Sequence, residues 1–419
     1  MLSTIKSRDI QEQIARIKEA DIVIGIPSFN NARTIGHVVR AVQAGLLKYF
    51  PDSKALLVNS DGGSTDRTMD IVNQSAIEDL QSILLHHRGE PFFKIATPYL
   101  GLPGKGSAFH TIFEIAAALE AKACAVVDSD LRSITPEWVE LLVKPVLSEG
   151  FDFVTPLYHR HKYDGTITNS IVYPLTRALY GKQVRQPIGG DFGFSGRMAK
   201  FFLTKNVWRT DIARYGIDIW MTTEAIANNF KIAQSFLGAK IHDAKDPGSD
   251  LSVMLSQVTG VAFSLMKEYY EIWKPIQGSR AIPTFGFQYT VGLEQLHVDV
   301  GRMLSIFRQG VKELTQLWRQ ILGPGDLGEL EAIGACPDQE FRFPLNLWTR
   351  VVFDFAIAYH KQKLPVDHLL KSLTPLYLGK TASFVKEVEN MGQEEAEAEI
   401  EKLCLEFEQS KELLINQWR

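Results

Sequence analysis

The amino-acid sequence predicts an α/β fold with a mostly parallel, doubly wound sheet, followed by a helical C-terminal domain. Between Asp21 and about Val154, short apolar runs alternate with amphipathic helical patterns, which is typical of a Rossmann-like parallel sheet covered by helices on both faces. After about Asp250 the pattern changes to long helical stretches. We therefore expect an α/β domain over residues 1–249 and a helical domain over residues 250–419.

Five apolar runs and four helical patterns make up the first domain. The predicted strands are Ile22–Ile26, Ala55–Val58, Phe93–Ala96, Ala123–Val127 and Phe151–Thr155. The predicted helices between them are Thr34–Tyr49, Asp66–Ser82, Gly106–Glu120 and Pro136–Glu149. The runs are continuously apolar, so both faces of the sheet should be buried.

The second domain consists of helical patterns separated by proline and glycine. They are Leu251–Trp273, Leu293–Leu322, Asn346–Gln362 and Glu394–Trp418, with breaks at Gly323-Pro324-Gly325, Pro337 and Pro365. The last pattern places Ile400, Leu403, Cys404, Phe407 and Leu414 on one face. Such a face suits either packing within the chain or association of two copies, so the C-terminal region is also a candidate homo-oligomer surface.

The composition excludes several classes of protein. Of the 419 residues, 45% are hydrophobic and 22% are charged, which is ordinary for a globular chain and argues against a disordered or fibrous one. The three cysteines lie far apart and form no CxxC pair, so we expect no disulfide framework and a cytoplasmic location. No apolar stretch is long enough for a membrane span. The net charge of −4 gives no electrostatic reason for binding nucleic acid.

Polar residues follow three of the predicted strands. Pro27–Asn31 follows the first strand, Asn59–Asp66 the second, and Asp128–Asp130 the fourth. In an open α/β sheet, ligands bind beyond the carboxyl ends of the strands. This edge of the sheet is therefore the predicted site.

Asp128 and Asp130 are the strongest metal candidates at this edge. Side chains two residues apart point to the same side of an extended chain, so the two carboxylates can share one divalent cation. Oxygen ligands favour Mg²⁺ or Mn²⁺, which neutralises a diphosphate leaving group. The alternative is chance, because Asp-x-Asp occurs about once in a chain of this length and is usually solvated. The position at a strand end favours metal or nucleotide binding.

Asp61 and Lys105 add a carboxylate and a cation to the same edge. Turn and helix-cap chemistry explains Gly62, Gly63 and Ser64 and leaves Asp61 to accept hydrogen bonds from a ribose hydroxyl or a base N–H. The segment around Lys105 fits neither a Walker loop nor a dinucleotide fingerprint. Lys105 then suits a phosphate or base contact, the alternative being an exposed turn lysine.

Taken in order, these motifs resemble those of the GT-A glycosyltransferases. Ile26–Asn30 (IPSFN) resembles their opening IPxYN motif, Asn59–Thr68 (NSDGGSTDRT) their DDGSTD turn, and Val126–Leu131 (VVDSDL) their metal-binding DxD motif. Farther on, the segments PGKG at 103–106, RQPIGGD at 185–191 and YGID at 215–218 resemble those of the mannosylglycerate, glucosylglycerate and glucosyl-3-phosphoglycerate synthase families. The resemblance covers about residues 20–250 and implies a GT-A fold.

The resemblance also implies a role for each matching residue. The nucleotide-sugar donor would contact Pro27, Asp61, Lys105, Asp128, Ser129, Gly189, Gly190 and Asp191. The cation, Mg²⁺ or Mn²⁺, would bind Asp130 and His242. The acceptor would contact Arg160, Asp164, Thr168 and Asp218. The catalytic residues would be Lys105, Asp191 and Asp218.

Two of these assignments have a plain alternative. His242 is otherwise an ordinary loop histidine. The run His159–Lys162 (HRHK) is otherwise a solvated loop. A planar guanidinium is nevertheless the natural partner of a small carboxylate, which favours Arg160 as the residue that binds the acceptor.

The implied activity is that of a metal-dependent, retaining hexosyltransferase. It would move glucose or mannose from a UDP- or GDP-sugar to D-glycerate or to a related small anion such as 3-phosphoglycerate. Asn31 and Asn59 depart from the family motifs and leave the base open, and Asp191, in place of Glu, leaves the sugar open. Two rivals remain, a nucleotidyltransferase that makes the sugar nucleotide and a nucleotide-binding scaffold without activity. Pro27–Asn31 lacks the glycine-rich basic signature of the first rival.

Overall fold

The computed structural model describes residues 8–75, 93–98, 104–242, 251–289, 292 and 296–418. They form two compact units. The first comprises the described residues within Met1–His159, Ile188–Asp243 and Ile282–Gly292. The second comprises those within Arg160–Pro187, Ala244–Ala281 and Leu293–Arg419. Residues 160–187 thus group with the C-terminal helices, and the domain boundary at 249/250 stays a prediction.

The first unit is built on an eight-stranded sheet within the described residues. The strands among the described residues are β1 Ile22–Ser28, β2 Ala55–Asp61, β3 Phe93–Pro98, β4 Ala123–Val126, β5 Phe153–His159, β6 Lys182–Gln183, β7 Phe192–Ser195, β8 Ile232–Ala239, β9 Arg280–Ala281 and β10 Thr284–Phe285. The sheet has the order β10-β8-β5-β7-β4-β1-β2-β3. Of these described strands, β7 alone runs antiparallel to its neighbours, β4 and β5. The predicted mostly parallel α/β fold is confirmed.

Helices cover this sheet and complete its core. They are Arg8–Ile17, Ile35–Tyr49, Thr68–Gln74, Lys105–Ala118, Pro136–Leu147, Gly196–Leu203 and Ile217–Ala227, with a short 3₁₀ turn at Asp211–Ala213. Strands β1 and β2 are buried along almost their whole length, as expected for a parallel sheet with both faces covered. Ile24 and Leu57 pack with Val38 and Leu142 from two of the helices in one apolar core.

The first five strands and the helices between them follow the sequence prediction with small changes in their ends. Strand β2 continues to Asp61, so Asn59 and Asp61 lie within the strand. The helix predicted over residues 66–82 is present as Thr68–Gln74, and its residues 76–82 lie outside the described part of the chain. The prediction omitted β7, β8 and β10, although Phe192 and Phe194 of β7 are fully buried.

The second unit is helical, and the predicted C-terminal helical region is thereby confirmed. Its helices are Tyr173–Tyr180, Ser252–Glu268, Tyr270–Trp273, Val300–Trp318, Pro324–Ala335, Leu345–His360, Val366–Glu387, Gln393–Gln409 and Lys411–Trp418. A π-helical turn at Thr168–Val172, a 3₁₀ turn at Asp338–Glu340 and a parallel pair of short strands, β6 and β9, complete the described part. Pro324 begins a helix where the sequence suggested only a break, because proline fits the first helical turn.

The apolar face of the C-terminal helices is used inside this unit. Ile400 and Cys404 pack against Tyr173, with Phe384 beside them. Leu403, Phe407 and Leu414 are also buried. Of the two uses expected for this face, packing within the chain is the one observed, and a homo-oligomer stays a prediction. No helix in the described residues is long and apolar enough to cross a membrane.

Candidate active site

Asp61 ends β2 and organises the turn that follows it. Its carboxylate accepts hydrogen bonds from the backbone N–H groups of Gly63 (2.9 Å) and Ser64 (2.8 Å) and from the hydroxyls of Ser64 (2.6 Å) and Ser28 (3.0 Å). Asp61 is only 3% exposed. Local structure therefore accounts for Asp61 as well as for the glycines, and its contact with the nucleotide stays a prediction, as does that of half-buried Pro27 on β1.

The segments that follow β1 and β4 are joined by hydrogen bonds. The Ser129 hydroxyl donates to Asn31 Oδ1 at 2.8 Å, and the Thr34 hydroxyl donates to the Ser129 carbonyl at 2.8 Å. Asn31 Oδ1 also accepts from the backbone N–H of Phe29 at 2.9 Å. The polar residues after the first and fourth strands are therefore held together, as the strand-end argument predicted.

Asp128 lies between two lysine ammonium groups. Lys105 Nζ is 2.7 Å from Asp128 Oδ1, and Lys240 Nζ is 2.7 Å from Asp128 Oδ2. Burial would raise the pKa of Asp128, but these two cations outweigh it and hold that pKa well below its ordinary value. Asp128 is an ionised carboxylate in a built cluster, which excludes the alternative of a solvated loop residue.

Asp191 holds the backbone of Asp128 in place by a hydrogen bond. It is fully buried, and its carboxylate accepts hydrogen bonds from the Asp128 backbone N–H (2.7 Å), from Lys240 Nζ (2.8 Å) and from the Tyr158 hydroxyl. Three protein donors thus surround the carboxylate. These contacts explain a structural role for Asp191, while its contact with the donor sugar and its role in catalysis stay predictions.

The second of the two glycines before Asp191 is required by this cluster. Gly190 has a φ of +92°, and a Cβ atom there would lie 2.3 Å from Asp128 Oδ2 and 3.0 Å from Lys240 Nζ. The neighbouring Gly189 carbonyl accepts a hydrogen bond from Lys240 Nζ at 2.9 Å. Only glycine allows the backbone this approach, so the sequence pattern Gly-Gly-Asp shapes the site.

Lys105 joins Asp218 to the cluster. Its ammonium group lies 3.4 Å from the Asp218 carboxylate and donates to the Gly190 carbonyl at 3.2 Å. Burial would lower the pKa of Lys105, but Asp128 and Asp218 outweigh it and raise that pKa above its ordinary value. Burial raises the pKa of Asp218, against the opposing effect of Lys105. Lys105 is therefore a largely shielded cation, 17% exposed at its side chain, and the alternative of an exposed turn lysine is wrong.

Asp218 is the least satisfied carboxylate of the cluster. It lies in the first turn of the helix Ile217–Ala227 and is 8% exposed. Its Oδ1 atom is buried, lies 3.4 Å from Lys105 Nζ in an ion pair and accepts no hydrogen bond. Buried polar atoms without a partner are uncommon and call for an explanation. A hydroxyl of a bound substrate would supply the missing donor, and the role of Asp218 at the acceptor or in catalysis stays a prediction.

Asp130 and His242 are placed near each other by the backbone. The Arg132 N–H donates to the Ile241 carbonyl at 2.8 Å, and the Ile241 N–H donates to the Ser133 hydroxyl at 2.9 Å. Burial and the charge of Asp128 raise the pKa of Asp130, while Lys240 and His242 act in the opposite direction. Within the described ranges, no group of three or more His, Cys, Asp or Glu side chains is arranged to hold a metal ion.

A carboxylate and an imidazole nevertheless fit Mg²⁺ or Mn²⁺ chemically. Magnesium is usually bound by one or two carboxylates, with substrate phosphates and water completing its coordination, and imidazole is compatible with manganese. A pair of protein ligands is therefore enough where a diphosphate supplies the remaining oxygens. The assignment of Asp130 and His242 as metal ligands stays a prediction.

Three of the four residues predicted to bind the acceptor, Arg160, Asp164 and Thr168, lie in the second unit, whereas Asp218 lies in the first. Arg160 Nη1 is 3.4 Å from Asp164 Oδ2, and Asp164 Oδ1 accepts from the Gly165 N–H at 2.7 Å. Thr168 is buried and begins the π-helical turn, a feature that often occurs at functional sites. The structure brings Arg160, Asp164 and Thr168 into one loop, and their binding of an acceptor stays a prediction.

Sequence reasoning missed two members of the cluster in the first unit. Lys240 contacts Asp128, Gly189 and Asp191, and Tyr158 contacts Asp191. Lys240 precedes the predicted metal ligand His242 by two residues, so the side chain two positions before a strand-end ligand was the available signal. No comparable signal marks Tyr158, which reads as an ordinary aromatic residue of β5.

The comparison with known families fits this geometry. The sequence profile of the family described as Glycosyl transferase family 2 matches residues 23–208. That match includes Asp61, Lys105, Asp128, Asp130 and Asp191. Residues 23–208 are thus similar to the glycosyl transferase family 2 domain. The predicted GT-A fold class is thereby confirmed. The predicted enzyme class, a hexosyltransferase, is confirmed by this match taken together with the relative described in the next paragraph.

This chain is also similar to individual proteins whose names are known. The chain is similar to a glucosyl-3-phosphoglycerate synthase of Petrotoga mobilis, with 27% identity over 284 residues that cover 63% of this chain and 79% of that protein. It is also similar to the crystal structure of glucosyl-3-phosphoglycerate synthase from Mycobacterium tuberculosis with Mn²⁺, UDP and glucosyl-3-phosphoglycerate, at 23% identity and a TM-score of 0.45, covering 60% of this chain and 83% of that one.

The mycobacterial enzyme has further solved complexes. Its structure with phosphoglyceric acid matches at 21% identity and a TM-score of 0.46, covering 68% of this chain and 91% of that one. Another of its structures holds Mg²⁺ and UDP. The cofactor expected for this chain, Mg²⁺ or Mn²⁺, is the one that these complexes contain.

Proposed function

We propose that this chain transfers a glucosyl group from a nucleoside diphosphate glucose to a small anionic acceptor of the glycerate class, with 3-phosphoglycerate as the first candidate, and with retention of anomeric configuration. The cluster of Lys105, Asp128, Asp191, Asp218 and Lys240 at the carboxyl edge of a parallel sheet is the observation that carries the proposal. It combines fixed cations with buried carboxylates where such sheets bind nucleotides.

The chain's own residues suit the departure of a diphosphate. Asp128 and Asp218 hold the partly exposed Lys105 as a cation, so it is positioned before the negative charge of the leaving group develops. Asp130 and His242 would hold the divalent cation, which supplies electrostatic neutralisation of the diphosphate when bound. Asp218 would accept a hydrogen bond from a substrate hydroxyl through its Oδ1 atom.

The acceptor class rests on Arg160 and on the Petrotoga relative. Arg160 offers a guanidinium that suits a carboxylate, and the relative is named for a product made from 3-phosphoglycerate. Glucose is the first sugar to test for the same reason. The experiment below decides between UDP and GDP as the donor nucleotide, between glucose and mannose as the sugar, and between 3-phosphoglycerate and D-glycerate as the acceptor.

The test is a matrix of UDP- and GDP-linked glucose and mannose against D-glycerate and 3-phosphoglycerate, read by release of the nucleoside diphosphate. We expect turnover with a glucose donor and a glycerate-class acceptor in the presence of Mn²⁺ or Mg²⁺, and none in excess EDTA. The anomeric configuration of the product, measured by NMR, tests retention. Full turnover in EDTA, or no transfer with any pair, would overturn the proposal.

The same assays separate the two rivals. A nucleotidyltransferase would release pyrophosphate from a nucleoside triphosphate and a sugar phosphate, and a scaffold would bind the nucleotide without turnover. Asp130→Ala serves as the inactive control, because it removes one of the two predicted metal ligands. Asp367→Ala is the matched control, since Asp367 is an exposed aspartate whose carboxylate pairs only with Lys371 among the contacts described.

A further inference from the structure

We infer that Lys162 is a positioning residue for acceptor binding, which rests on the proposed function of the loop Arg160–Thr168. The Lys162 ammonium group donates three hydrogen bonds, to the carbonyls of Val388 (2.7 Å), Glu389 (2.8 Å) and Met391 (2.8 Å). These carbonyls follow directly on the helix Val366–Glu387. The loop is therefore fastened to the end of this helix within the second unit.

The chemistry of the contact is complete. A lysine ammonium group has three donors and no acceptor, and the three carbonyls use all of them. These carbonyls lie just beyond the C-terminus of a helix, where the negative end of the helix dipole favours a nearby cation. Lys162 consequently has no donor left for an acceptor molecule.

Two further contacts fasten the same loop to the C-terminal helices. Gln393 Nε2 donates to the Arg160 carbonyl at 2.8 Å. The Thr166 hydroxyl is hydrogen-bonded to the hydroxyl of Tyr377, which is fully buried in the helix Val366–Glu387. The backbone is thus held at Arg160, at Thr166 and, through Lys162, between them.

This arrangement divides the work of the basic run. A guanidinium binds a carboxylate through two hydrogen bonds only when its backbone is held in the right place. Arg160 is the proposed acceptor contact, and Lys162 fixes the loop that carries it. The C-terminal helices therefore act on acceptor binding through the positions of these anchors.

The test is Lys162→Met, which keeps most of the apolar stem and removes the three donors. We expect the acceptor KM to rise about 10- to 100-fold, as for a reacting group displaced by about 1 Å, with the donor KM unchanged. Lys162→Arg should restore part of the acceptor affinity, because it keeps the charge. The matched control is Lys371→Met. Lys371 is an exposed lysine of the helix Val366–Glu387 and pairs with Asp367 at 2.8 Å, so the kinetics of this variant should equal those of the wild type.

The outcomes separate this inference from the proposed function. Wild-type turnover on a glycerate-class acceptor establishes the function independently of any Lys162 variant. With that turnover present, an unchanged acceptor KM in Lys162→Met, or an equal rise of donor and acceptor KM, overturns the positioning role. Lys162→Gln, which keeps an amide donor, carries the same comparison if the methionine variant does not fold. Without wild-type turnover on such acceptors, the proposed function and the inference both fail.

Discussion

At the scale of single residues, the buried charges of the first unit depend on one another. Lys240 is 4% exposed at its side chain and contacts both Asp128 and Asp191. Asp191 in turn holds the backbone N–H of Asp128. Removing one member of such a cluster leaves an uncompensated buried charge, which is far more destabilising than removing a complete pair.

Asp191→Asn and Lys240→Met should therefore show strong coupling. Each single change is expected to lower the free energy of unfolding by about 3 kcal/mol, and the double variant by clearly less than the sum of the two. Urea unfolding of the two single variants and the double variant measures this. Additive losses would show that the contacts between Asp191 and Lys240 contribute little. The matched control is Lys122→Met, because Lys122 is an exposed lysine. Lys205 is unsuitable as a control because it pairs with buried Glu224.

Arg160 gives a second prediction at this scale. Arg160→Ala should raise the acceptor KM by about 10²-fold, because a charge-assisted pair worth roughly 3 kcal/mol is lost, while the donor KM changes little. Steady-state kinetics with glycerate-class acceptors and with glycerol measure the effect. Glycerol lacks the carboxylate and should be a poor acceptor for both proteins. An equal loss with glycerol and glycerate would show that Arg160 does not bind the carboxylate.

At the scale of elements, the helix Lys105–Ala118 carries a catalytic candidate at one end and a buried acid farther along. Gly106 is needed at its start, because a Cβ there would lie 2.3 Å from the Ile212 carbonyl. Near its other end, the Glu114 side chain is 13% exposed, and burial raises its pKa to about 7. Its closest described charge partner is the His110 imidazole, 3.7 Å away, and burial lowers the pKa of His110.

Glu114 should therefore make the stability of the protein depend on pH. A carboxyl group whose pKa is raised by folding stabilises the folded state below its unfolded pKa, and this contribution is lost as the pH rises through the folded value. The window is thus from about 4.5 to about 7. Glu114→Gln should leave stability nearly unchanged at pH 4.5 and raise it by up to about 3 kcal/mol at pH 8.

Urea unfolding of both proteins at the two pH values measures this difference. His110 titrates in both proteins, so its contribution largely cancels. Equal stability differences at pH 4.5 and pH 8 would contradict a raised pKa of Glu114 in the folded state.

Most elements of the sheet were readable from the sequence, whereas the cluster was only partly so. The buried parallel strands β1 to β5 are predicted by apolar runs in the sequence. Strand β7 has four residues and contains Gly193, so local composition gives little sign of it. For the turn after β2, the sequence pattern predicted which residues form it. The pattern did not show that the Asp61 carboxylate accepts hydrogen bonds from the backbone of this same turn. Contacts such as Lys240 with Asp128 join residues over a hundred positions apart, and no local pattern records them.

At the scale of the whole molecule, ligand binding and folding are linked. A ligand that binds only the folded protein stabilises it by about 2.7 kcal/mol when present at a hundred times its Kd. The two predicted metal ligands, Asp130 and His242, do not make a complete coordination shell for a divalent cation. Substrate phosphates commonly supply the missing ligands of such a cation.

Thermal unfolding should therefore respond to metal and nucleotide together more than to either alone. We expect Mn²⁺ alone to raise the Tm little, and Mn²⁺ with UDP or GDP to raise it by several degrees, since about 1 kcal/mol corresponds to a few degrees in a protein of this size. Asp130→Asn should remove the part of the shift that depends on Mn²⁺ and leave the apo Tm close to that of the wild type, while Asp367→Asn, at an exposed aspartate, should retain the full shift. A full shift with Mn²⁺ alone would mean that the chain supplies a complete metal site by itself, and an unchanged shift in Asp130→Asn would show that the metal binds elsewhere.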